Sequence, residues 1–109
     1  MVEIREIKTT EDYTNLLKEN KCVLKFSAEW CYPCKSLSQT IKNLEDESVS
    51  DIVFGEINID EEFAEDIVSL YNIRGVPVLL FFKDGELVNR TIGNIPATKV
   101  LTIINESFK

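Results

Sequence analysis

The chain has no histidine and only three cysteines among its 109 residues. A structural zinc site usually takes four Cys or His ligands, so this inventory argues against a metal centre. Three thiols are also too few, and odd in number, for a disulfide framework. Cations are scarce: 12 Lys and Arg stand against 19 Asp and Glu, a net charge of −7. Nucleic acids and anionic membrane surfaces both require clustered cations, so neither is expected as a partner. Long apolar runs are missing, and the longest, Val76 to Phe82, is far short of a membrane span. The opening MVEIREIKTT mixes acids with bases and lacks the apolar stretch of a signal peptide, so a cytoplasmic chain is expected. Repeats, low-complexity tracts and Pro/Gly/Ser linkers are absent too, and the length suits a single domain over residues 1–109. What is present is ordinary: 44% hydrophobic residues are enough for a core.

Periodicity divides the chain into alternating elements. Val2 to Ile7 reads as a short strand, and Thr9 or Thr10 can cap a helix to about Asn20 with Tyr13, Leu16 and Leu17 on one face. Cys22 to Ser27 is a strand, apolar on both faces except for Lys25. A helix with the stripe Leu37, Ile41, Leu44 comes next, then a strand from Ile52 to Ile59 with Glu56 as its polar exception. Asp60 is placed to cap a third helix through Phe63, Ala64, Ile67, Val68 and Tyr71. Val78 to Phe82 is continuously apolar, as in a strand covered on both sides. Asp84-Gly85 then signals a hairpin to a strand from Leu87 to Ile92. Pro96 suits the first turn of a last helix with the stripe Ala97, Val100, Leu101, Ile104 and Phe108. The sum is α/β, in the order βαβαβαββα, with a largely parallel sheet made mixed by its closing hairpin.

Between the second strand and second helix lies Glu29-Trp30-Cys31-Tyr32-Pro33-Cys34-Lys35. Continuing the helical stripe backward from Leu37 puts Cys34 toward the core. Cys31 falls one turn earlier, at the helix N-terminus, where unpaired N–H groups and the macrodipole favour an anion. The thiolate is the nucleophilic form, and this setting lowers a thiol pKa. Cys31 is therefore expected to be the exposed nucleophile and Cys34 the buried resolving thiol, with Pro33 stiffening the first turn. In the cytosol, where thiols are kept reduced, such a pair is more readily catalytic or metal-binding than a structural staple. Cys22 belongs to no motif and reads as a buried structural thiol.

The segments FSAEWCYPCK, INID and YNIRGVPVLLFFKDGE, followed by the lone Gly93, resemble the thioredoxin family in order and spacing. The resemblance spans nearly the whole chain. It implies a central five-stranded mixed sheet flanked by four helices, and reduction of protein disulfides by a Cys31/Cys34 dithiol. It further implies recharging by an NADPH-dependent flavoprotein, thioredoxin reductase, with no bound cofactor beyond the redox-active disulfide itself. By position, Trp30 resembles the indole that shields the site and Asp60 the aspartate near its edge. Val76-Pro77 resembles the family's cis-proline segment, which pairs with an extended substrate. Gly93 resembles the small residue that completes the docking surface. The residues themselves leave two of these open. A proline at a strand start is usually trans, and Gly93 also suits a plain strand-to-helix turn.

Three positions depart from the family pattern. Lys25 stands where thioredoxins usually bury an aspartate, and Glu56 where the neighbouring strand tends to carry a lysine. Acid and base have exchanged strands. Either the two pair beneath Cys34, with Glu56 the carboxylate available for proton transfer, or Lys25 snorkels to solvent. Tyr32 replaces a glycine; glutaredoxins carry Pro and Tyr in the reverse order, which adds a glutathione-linked alternative. Outside that alternative, Tyr32 either enlarges the apolar contact surface or is an exposed aromatic of little consequence. Ser27 stands where a second tryptophan is common. The expectation is a monomeric, cytoplasmic thiol–disulfide oxidoreductase. Its substrate-contacting residues are Trp30, Tyr32, Pro33, Val76, Pro77 and Gly93; its partners are thioredoxin reductase and disulfide-containing proteins. A docking subunit with incidental cysteines, and an oxidase or isomerase, are the alternatives.

Overall fold

A computed structural model describes residues 2–109. Five strands form one sheet: β1 (Ile4–Ile7), β2 (Lys21–Ser27), β3 (Val53–Asn58), β4 (Val78–Lys83) and β5 (Glu86–Ile92). Four helices accompany them: α1 (Thr10–Leu17), α2 (Tyr32–Lys42), α3 (Glu65–Leu70) and α4 (Ala97–Ser107). The sheet order is β1-β3-β2-β4-β5.

The sheet is less parallel than the alternating elements suggested. β1, β3 and β2 run parallel, but β4 lies antiparallel to β2 and β5 antiparallel to β4. The connection from β3, through a 3-10 turn at Glu62–Ala64 and the six-residue α3, returns the chain to the end of the sheet where β3 left it. This brings the start of β4 beside the end of β2, and so beside the cysteine motif.

Side-chain alternation splits the core into two layers. Leu24, Phe26, Leu80 and Phe82 face Tyr13 and Leu16 of α1 and Ile67 of α3. Val23, Phe54, Leu79 and Phe81 face Leu37 and Ile41 of α2 and Val100, Ile103 and Ile104 of α4. Cys22 is fully buried in the first layer, and that burial pushes its thiol up to about 12, which makes it inert near neutral pH. Gly55 on β3 admits α1 closely: a Cβ there would sit 2.8 Å from Leu16 Cδ2 and 3.2 Å from Ile7 Cδ1. Gly55→Ala is therefore expected to lower stability by about 1–3 kcal/mol in urea unfolding, with Leu16 forced to move.

Several local expectations shift. Thr9 caps α1, its hydroxyl accepting from the Asp12 amide, but the helix stops at Leu17 rather than Asn20. Leu44 is buried yet lies beyond the end of α2. In α4, Ala97 is exposed and Ile103 takes a core position instead, because the helix starts after Pro96 and its apolar face is centred on Val100 and Ile104. Asp60 caps no helix; a short 3-10 turn, Glu62–Ala64, intervenes before α3. The Asp84-Gly85 hairpin forms as read, with φ of 52° and 84° at its two central residues, as a type I′ turn requires.

Candidate active site

Cys31 is the N-cap residue of α2, in extended conformation, and Pro33 occupies the first turn. There the missing proline N–H removes no helical bond. The Cys34 amide points back at Cys31 Sγ from 3.2 Å. A helix-terminal donor with no backbone partner in the helix thus faces the sulfur that would carry negative charge on reduction. The two cysteines are joined in a disulfide with Cα atoms 5.3 Å apart. In this form Cys31 is not the exposed thiol expected: it is 4% accessible, against 0% for Cys34. The bond folds its sulfur inward against Ala28, with Ile59 and Val76 packed alongside.

The Val76–Pro77 peptide bond is cis. The Val76 carbonyl oxygen lies 3.9 Å from Cys31 Sγ. Behind it, the Gly93 amide donates to the Pro77 carbonyl at 2.8 Å. Gly93 has φ of 88°, a conformation that side chains disfavour. The turn after β5 is thereby tied to the segment beside the disulfide. Trp30 is 70% exposed and Tyr32 79% exposed. The indole N–H of Trp30 donates to Asp60 Oδ2 at 2.8 Å, which gives Asp60 its place in the structure. Ile92 is 74% exposed. Sequence reading missed it as a surface residue, because it sat within a strand pattern.

Beneath α2 lies the charge pair. Lys25 Nζ donates to Glu56 Oε2 at 2.5 Å and to Ser27 Oγ at 3.1 Å. Lys25 and Glu56 are direct register partners on parallel β2 and β3. Ser38 of α2 donates to the same carboxylate at 3.2 Å. Lys25 is 1% exposed, so it does not snorkel. Burial pushes its ammonium below the ordinary lysine range, and the Glu56 carboxylate opposes that only in part. Burial alone would raise the Glu56 carboxyl, but the hydrogen bond and charge of Lys25, with Ser27 and Ser38, hold it below its ordinary value. The Glu56 side chain keeps 32% exposure. It opens on a groove of about 610 Å³ lined also by Ser27, Ala28, Lys35, Ser38 and Asn58. Residue type alone does not mark Ser27 and Ser38 as partners of the pair. The one available signal was that Ser38 stands one helical turn after Cys34 and so shares its face. Among the described residues, no three His, Cys, Asp or Glu side chains converge as a metal set, and no helix is long and apolar enough to cross a membrane.

The family model for Thioredoxin matches residues 4–106. A thioredoxin of Chlamydia caviae is 32% identical over 101 residues, covering 93% of this chain and 96% of its own. One from Mycoplasma genitalium is 34% identical over 105 residues, covering 96% and 98%. Among solved structures, mitochondrial thioredoxin 3 of Saccharomyces cerevisiae in its oxidised form superposes with a TM-score of 0.81 at 28% identity, covering 94% of each chain. A mutant thioredoxin from Halobacterium salinarum gives 0.85 at 25% identity, over 98% of this chain and 92% of that one. Sequence, fold and the disulfide at the helix N-terminus agree, and the chain belongs to the thioredoxin family, as a thiol–disulfide oxidoreductase.

Proposed function

We propose that this protein reduces disulfides of other proteins in the cytoplasm, acting as a monomeric single domain over residues 1–109, and is recharged by an NADPH-dependent flavoprotein thioredoxin reductase. The observation that carries this reading is the Cys31–Cys34 disulfide at the α2 N-terminus, with the Val76 carbonyl beside it. In the reduced protein, the Cys31 thiolate attacks one sulfur of the target disulfide. That bond breaks, a mixed disulfide forms, and the departing sulfur takes up a proton. Cys34 then loses its proton and attacks Cys31 Sγ, and the second target sulfur leaves as a thiol. Two electrons have passed from the dithiol to the target. Glu56 is the carboxylate within reach of solvent and of α2 to take up the Cys34 proton, with Lys25 as its charge partner. The target's extended chain lies along Val76 and Pro77, flanked by Trp30, Tyr32, Pro33 and Gly93.

The test is a coupled assay with NADPH, a thioredoxin reductase and a protein substrate held by disulfides. NADPH consumption that depends on both this protein and the substrate is the expected result. No consumption, with the dithiol still reducible by dithiothreitol, would remove the reductase-linked role. No reduction of the substrate by the pre-reduced protein would remove disulfide reduction itself.

A further inference from the structure

The Lys25–Glu56 pair is oriented. Its cation is the buried end: Lys25 is 1% exposed, and its ammonium is held by Glu56 and Ser27. Its anion is the wet end, with the Glu56 side chain 32% exposed on the groove. Charge in water is screened strongly, and charge in the interior weakly. Seen from the core, the pair is therefore not neutral; the lysine dominates.

The sulfurs sit in their own small cluster with Ala28, and the pair is linked to that cluster through the residues of β2 and α2 that flank both. Lys25 shares a sheet face with Val23, which packs against Leu37 and Ile41. Those two residues continue the buried stripe of α2 that begins at Cys34. Ser38, one turn after Cys34, is bonded to the pair. Ser27, on the ammonium, precedes Ala28, which packs against both cysteines. From the other elements of this layer, β4 and α4 present apolar groups, Leu79, Phe81, Val100 and Ile104. The remaining charged groups of the groove are three cations, Lys8, Lys35 and Lys42, and three acids, Glu6, Glu29 and Glu61. They balance in sign and stand at an open, solvated rim.

We propose that the Lys25–Glu56 pair is an electrostatic positioning device: it sets net positive potential beneath Cys31 and Cys34, acidifies the reduced dithiol and makes the couple more oxidising. The reasoning is linkage. Reduction adds two electrons and up to two protons to the disulfide. Whatever stabilises a thiolate stabilises the reduced form, and so raises the tendency to accept electrons. This inference rests on the Cys31/Cys34 exchange reading and adds the direction in which the fold biases it.

The experiment compares two variants with the wild type at equilibrium. Lys25→Met with Glu56→Gln removes both charges and keeps the volumes, a change that buried pairs tolerate. Lys25→Met alone leaves the acid unpaired. The readouts are the titration of the Cys31 thiol, by alkylation rate against pH, and the equilibrium with glutathione. In the double variant the thiol should become about tenfold less acidic, and the equilibrium should move about tenfold toward the protein disulfide. Lys25→Met alone should shift further in the same direction. A structural role alone would change unfolding and leave both readouts in place. Titration and equilibrium within twofold of wild type in the double variant, or a shift toward greater acidity, would overturn the proposal. If Lys25→Met does not fold, the double variant decides. Disulfide reduction by the wild-type protein is scored separately, so failure of the electrostatic device and failure of the functional reading are distinct results.

Discussion

Cys34→Ser should hold the protein on its target as a covalent complex. In this variant Cys31 keeps its place at the α2 N-cap, with the amide of residue 34 still directed at its sulfur. Attack on the target disulfide proceeds, but the group that resolves the mixed disulfide is gone. Resolution then depends on a thiol from solution. Well-oriented intramolecular reactions reach effective molarities of about 10⁵ M and above, so millimolar external thiol is a poor replacement. Turnover should fall by at least about a thousandfold, with the mixed disulfide accumulating on non-reducing gels. Cys31→Ser should lose turnover as completely and accumulate nothing, because Cys34 has no accessible surface. The asymmetry is the informative part. Equal trapping by both variants would mean that either sulfur attacks, and would withdraw the roles given to the two cysteines. Biological function that survives replacement of both would favour a docking subunit.

Glu56→Gln should cause the largest loss of stability expected for a single change at the site. It leaves the Lys25 ammonium, 1% exposed, without its counter-charge. Removing one partner of a fully buried pair costs about 3–5 kcal/mol; with Glu56 partly solvated the loss should fall at or below the lower end of that range, which urea unfolding at pH 7 would read directly. Adding Lys25→Met should recover most of the loss, since the buried charge then disappears. The pH dependence has a definite sign. The Glu56 carboxyl is held below its ordinary value of 4.5. Its contribution is complete above about pH 4.5 and is lost as pH falls through the folded value. Lys25 acts in the other direction: burial lowers its pKa from 10.5, so its penalty eases as pH rises from the folded value toward 10.5. Glu56→Gln should therefore flatten the acid limb of the stability curve. The same variant tests proton transfer. If Glu56 receives the Cys34 proton, the reduction rate should fall and its pH profile should change; an unchanged rate and thiol titration would remove Glu56 from that step.

The elements were legible because their physics is local. Strand alternation, the stripe Cys34-Leu37-Ile41, the threonine cap of α1 and the Asp84-Gly85 hairpin each lie within a few residues of chain. Legibility failed where distant groups compete. Asp60 looked like a helix cap, but the indole of Trp30 takes its carboxylate. Cys31 looked exposed as a helix-terminal residue, yet the disulfide and Val76 cover it. The parallel sheet was over-read because alternating elements do not reveal to which end of the sheet the connection through α3 returns the chain.

For the charge pair, the sequence raised the question and could not answer it. An exchanged Lys25 and Glu56 on neighbouring strands fits a buried pair or two separate surface charges. Register decides this, since the two residues must stand side by side before they can bond. By itself, then, the sequence determined the order of elements, the family and the dithiol, all properties of residue type and spacing. Only the tertiary structure decided which strands are neighbours, that the Val76 segment lies on the disulfide, and that Lys25 is the dry end of its pair and Glu56 the wet one. Those features arise from packing between segments far apart in the chain, where burial and dielectric, more than residue identity, fix what a charge does.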